Sequence, residues 1–226
     1  MTAVFLRKKR WLYIAFSQIL AGFMLICMCY AGLISSAKTL WVGKSFYFLV
    51  SNNTNVEAGS YEARLDGGAG YLLDFADDSY IVWSVYLNET DGTTVQAGLV
   101  DSTQLLKVSV SHLYLKTRAD KQRSALIQGA LNSFYGCIEV LSQGLTRLDQ
   151  GMTQQASKRI LADLNKKYIY MTNVYRESYP QFSTACQKIQ TALSDMLSKT
   201  ILGKDVRYLL CSACDAYIRL TSVFCL

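Results

Sequence analysis

Three hydrophobic patterns follow one another along the chain. From Trp11 to Ala37 the side chains are apolar or small without a period; no Asp, Glu, Lys, Arg or His stands among them, and Gln18 is the one strongly polar residue. As a helix these 27 residues would reach about 40 Å at 1.5 Å per residue. That length crosses a hydrocarbon core of roughly 30 Å with some tilt. Residues 43–115 change to short apolar runs bounded by turn residues. From Lys116 onward the apolar positions recur every three or four residues.

The middle region predicts a β-α-β-β-α-β order. Ser45–Val50 is aromatic and β-branched, bounded by Gly43 and Ser51-Asn52-Asn53, and reads as a strand. Asn55–Leu65 is helix-compatible and closes at Asp66-Gly67-Gly68-Ala69-Gly70. Tyr71–Phe75 is a second apolar run, and Ala76–Ser79 is a turn. Tyr80–Leu87 is the strongest strand pattern in the chain. Glu89–Val100 is a second helix, weakened by Gly92 and Thr93-Thr94, and Gln104–Leu115 is a fourth strand with alternating apolar residues. The expected product is a four-stranded antiparallel sheet with two helices on one face.

In the last region Ile127, Leu131, Phe134, Ile138, Leu141, Leu145 and Leu148 form one helical stripe. Leu161 to Tyr175, Phe182 to Met196 and Val206 to Phe224 form three more, separated at Gly151, Pro180 and Gly203. Each stripe is too narrow to be stable alone in water, so the helices must bury against one another. Short joints predict an antiparallel four-helix bundle over 118–226. The fold class is therefore α+β: an N-terminal transmembrane helix, a β-α-β-β-α-β domain, then the bundle. Tyrosines at stripe positions read as aromatics at the edge of the bundle core.

Charge adds orientation. Arg7, Lys8, Lys9 and Arg10 stand directly before the uncharged stretch, with only Lys38 and Lys44 close behind it. By the positive-inside bias, residues 1–10 are a cytoplasmic basic tail, 11–37 a single membrane span, and the bulk of the chain is extracytoplasmic. Trp11, Tyr13, Tyr30 and Trp41 fall near the two interfaces. The rival reading is a cleaved signal peptide ending at Ser35-Ser36-Ala37, against which stands the length of the apolar stretch. The net charge of +6 is unevenly spread: residues 43–115 hold 3 basic and 9 acidic side chains, residues 116–226 hold 15 and 8. That shift marks a boundary near 116, and it suggests a basic bundle docking on an acidic sheet.

Candidate chemistry is sparse. Gly67-Gly68-Ala69-Gly70 lacks the Lys-Ser/Thr of a phosphate-binding loop. His112 is the only histidine, which leaves it no histidine partner for a metal site. Cys211-Ser-Ala-Cys214 lies in a helical pattern without a surrounding redox fold, so core packing is preferred to a disulfide, zinc or redox role. Asp77-Asp78 sits in a turn signal, where Asp is favoured for backbone hydrogen bonding. The basic residues of the bundle are scattered over its helix faces, as on a solvated surface. No enzyme, cofactor, metal or nucleic-acid function is expected.

At Phe46–Ser51, Gly70-Tyr71 and Tyr80–Leu87 the segment resembles the SPOR domain of bacterial cell-division and sporulation proteins. That family has a β-α-β-β-α-β fold and is usually tethered by one N-terminal membrane helix. The likeness covers about a third of the chain, 43–115, and rests on pattern; the family's strand-one Gln falls at Leu49 and its following Gly at Ser51. It implies binding to peptidoglycan glycan strands at the cell envelope, through a sheet face carrying Tyr47, Leu49, Ile81, Trp83 and Val85. Here the face bearing Ile81, Trp83 and Val85 is apolar, which equally suits a protein cover. The alternative is an envelope protein–protein scaffold whose sheet face lies under the bundle or under another envelope protein.

Overall fold

The computed structural model describes residues 38–51, 55–76, 78–99, 103–115 and 121–224. The uncharged stretch 11–37 and the cationic tetrad Arg7, Lys8, Lys9 and Arg10 lie outside them. Among the described residues no helix is long and apolar enough to cross a membrane.

Ten elements follow in the order β1 (Lys38–Ser51), α1 (Val56–Leu65), β2 (Tyr71–Phe75), β3 (Asp78–Tyr86), α2 (Glu89–Gln96), β4 (Thr103–Leu115), α3 (Lys121–Asp149), α4 (Gln154–Tyr175), α5 (Pro180–Leu197) and α6 (Gly203–Phe224). The protein is α+β, with four antiparallel strands in the order β2-β3-β1-β4. Both short helices start at an Asn whose side chain accepts a backbone N–H: Asn55 from Ala58, Asn88 from Asp91. Pro180 and Gly203 do not interrupt helices. Each is the first residue of one, the position where proline costs no helical hydrogen bond.

Three boundaries differ from expectation, the first being the turn expected over Ala76–Ser79: Asp78 and Ser79, already in β3, pair with Phe75 and Asp74. β1 begins at Lys38, not near 45, so Trp41 belongs to a strand and pairs with His112 in the sheet. The helix expected over Glu89–Val100 ends at Gln96, short of the turn that carries Gly98. Poor helix formers explain this: Gly92 and the two threonines weaken propagation before the stop.

Both faces of the sheet are covered. α1 and α2 lie on one, where Leu49, Ile81 and Ser84 are buried. On the other, Phe46, Phe48, Val50, Val82 and Val85 join the core of the helical bundle. Phe46 meets Tyr135 of α3 and Tyr217 of α6, at ring distances of 6.1 and 5.6 Å. One contiguous apolar cluster therefore runs from the sheet through all four long helices. Of the stripe tyrosines, Tyr175 lies at the core edge as expected, while Tyr168 and Tyr217 are fully buried, and their hydroxyls have no hydrogen-bond partner among the described residues.

The direct contacts between the two units do not follow their bulk charges. Among the described residues the ion pair that joins them runs the other way, from Arg64 of the acidic sheet unit to Asp205 of the basic bundle, at 2.7 Å. Tyr71 likewise donates to Asp215 at 2.7 Å, and Arg207 donates to the Gly67 carbonyl at 3.1 Å. Apolar burial plus these directed bonds fixes the arrangement.

Candidate functional site

β3 decides which residues can meet. Leu49 pairs with Ser84 while Val50 pairs with Val82, so Trp83 is an extra residue bulged out of the ladder. Alternation would put Ile81, Trp83 and Val85 on one face. The bulge moves Val85 to the opposite face, against the bundle, while Ile81 stays opposite Ser51 under the short helices. The apolar face expected from the sequence is thus two half-faces, each with its own cover.

Of the five residues singled out in the sequence, Tyr47, Leu49, Ile81 and Val85 are buried, at 8%, 1%, 1% and 2% exposure. Trp83 alone is half-buried. Its indole N–H donates to Ser51 Oγ at 3.1 Å, which fixes the ring beside the α1 turn. Gly68 is there because nothing larger fits: a Cβ would lie 2.9 Å from Trp83 Cε3 and 2.9 Å from the Ala63 carbonyl oxygen. Gly70, at φ +59°, turns the chain into β2 in a conformation that side chains rarely adopt.

Trp83 opens into a groove of about 650 Å³ between α1, α2 and the distal ends of α3 and α6. That is a ligand-sized cavity. Leu49 and Val85 also line it, so the structure brings three of the five residues to one place and leaves Tyr47 and Ile81 outside it. Val95 and Leu99 supply apolar wall and are exposed. Sequence reasoning missed the polar part of the lining: Asp66, Asp91, Asp149 and Arg207. These come from α1, α2, α3 and α6, and no local motif links them.

The groove is electrostatically negative. Arg207 is committed to Asp149 at 2.6 Å and to the Gly67 carbonyl. Asp91 accepts from the Asn88 side chain at 2.7 Å and sits in the first turn of α2, where an acid complements the helix dipole. Asp66 is different. It is exposed, caps the C-terminal end of α1 where the dipole is already negative, and has no side-chain hydrogen bond or ion pair among the described residues. Burial pushes the Tyr86 hydroxyl at the groove wall above its ordinary range, so it is a neutral donor and acceptor at pH 7.

Other clusters carry less. Cys137, Cys186, Cys211 and Cys214 are buried free thiols, and burial raises the pKa of each. Such groups pack as small apolar side chains. Asp215, nearly buried, takes the Tyr71 hydroxyl and Arg219 Nε at 2.7 and 2.9 Å and acts as a joint between sheet and bundle. No group of acidic, histidine or cysteine side chains among the described residues has metal-site geometry. Compared with protein-family models, curated proteins and solved structures, the chain matches none.

Proposed function

We propose that the chain is a membrane-tethered assembly module of the cell envelope, with an extracytoplasmic SPOR-like sheet unit that binds another protein. One observation carries this choice over glycan binding. The sheet face opposite α1 and α2 is filled by the protein's own bundle, through Phe46, Phe48, Val50, Val82 and Val85. A glycan strand laid across that face would first have to displace a continuous apolar core. The groove at Trp83 is a concave surface that the packing leaves, and its mixed lining of apolar, hydroxyl, amide and charged side chains suits a short protein segment. The tether is supported by the uncharged stretch behind Arg7–Arg10.

A photo-crosslinking amino acid at Leu99, which is exposed on the groove wall, tests the reading in intact cells. The expected product is a discrete adduct with one protein. Adducts made only of muramidase-sensitive wall fragments would return the assignment to glycan recognition. A reporter fused at the carboxyl end and active only in the cytosol would remove the envelope setting.

A further inference from the structure

We infer that the groove at Trp83 receives a lysine or arginine side chain from the partner protein. This rests on the assembly reading and names what the partner must bring. Three features of the groove converge on a cation. The first is charge: Asp66, Asp91 and Asp149 line the groove against Arg207 alone, and Arg207 is already bound to Asp149 and to the Gly67 carbonyl. The second is the placement of Asp66, set against the negative end of α1 with no cation among the described residues. A carboxylate there raises the energy of the free fold, and a bound positive charge relieves it. The third is the ring. Trp83, half-buried and held by Ser51 and Gly68, lines the groove, and tryptophan is the best aromatic acceptor of a cation.

The positive helix ends nearby do not cancel this field. The start of α2 is satisfied by Asn88 and Asp91, and the start of α6 carries Asp205. A long aliphatic stem also suits the walls, since Leu49, Val95 and Leu99 give it apolar contact while the charged head reaches the carboxylates. About 650 Å³ exceeds one side chain, so the groove takes the residues on either side of it as well. The occupant is therefore a basic segment of a protein, not a neutral oligosaccharide.

The full chain in detergent, with Trp11→Phe and Trp41→Phe, leaves Trp83 as the only indole and makes its emission the readout. Three probes are titrated: a blocked hexapeptide containing Lys and Arg, the same peptide with Glu in their place, and a soluble chitooligosaccharide. The expected result is a saturable change with the basic peptide alone, weakening at least fivefold when salt rises from about 0.05 to 0.5 M. Combined Asp66→Asn and Asp91→Asn substitution is expected to weaken it by about tenfold, two charge contacts of modest worth. Asp163→Asn, on an exposed carboxylate paired with Lys166, should leave it unchanged. Equal response to the Glu peptide, response to the oligosaccharide alone, or no response to any probe would each overturn the inference. If the Leu99 adduct with a protein persists in that case, the assembly reading stands and only the cationic contact is lost.

Discussion

Gly68→Ala forces a choice on the molecule, because the new methyl meets the Ala63 carbonyl and the Trp83 ring at 2.9 Å each. The end of α1 is held by backbone bonds, so the indole is the part that gives way. We expect a loss of about 1–3 kcal/mol, the usual cost of overpacking, together with a shifted Trp emission spectrum, both read in urea titrations. The buried thiols set a second expectation. Their folded pKa values are raised, so the folded chain keeps protons that the unfolded chain gives up above its ordinary thiol pKa near 9. Stability is fully present below pH 9 and falls as pH climbs beyond it. At pH 10 each of Cys186, Cys211 and Cys214 costs roughly 1.4 kcal/mol, and the urea midpoint in reducing buffer should drop as pH rises from 9 to 10. Replacing Cys211 and Cys214 by Ala should flatten that slope; an unchanged slope would sink the explanation. At this scale the packing role of the cysteines was legible, from their apolar neighbours at helical spacing. The environment of Asp66 was not, since it depends on where a helix ends and on what the rest of the chain leaves unpaired.

Among the described residues the strands and helices follow the expected kinds and order, because alternation and the 3.5-residue stripe are strong signals over 10 residues or more. What failed was facing. A bulge adds one residue to one strand without any mark in composition, and everything after it changes sides. Val85 and Leu99 put this to a test. Val85 is 2% exposed against the bundle, so Val85→Lys buries an unpaired charge and should unfold the protein or cost more than about 4 kcal/mol. Leu99, 40% exposed, should accept Lys within about 0.5 kcal/mol. Thermal melts of the two variants side by side measure the difference.

Sheet and bundle share one core, although their sequences differ in period and in net charge. Composition suggested opposite charges attracting across the boundary. The contact instead uses rings and aliphatic chains, with Arg64–Asp205 and Tyr71–Asp215 set against the bulk signs. Such contacts join residues more than 140 positions apart, a distance over which no periodicity in the sequence carries information. Phe46→Ala should therefore cost about 3–5 kcal/mol and lower both units together. Far-ultraviolet circular dichroism and Trp emission are expected to give coincident unfolding curves for wild type and variant. Two separated transitions would mean that the bundle is stable without the sheet.

The strand that leads out of residues 1–37 is an inner one, bonded on one side to β3 and on the other to β4. A force directed along β1 from its Lys38 end loads both of these ladders together. Withdrawing β1 from its Lys38 end therefore means breaking two ladders, where an edge strand would break one.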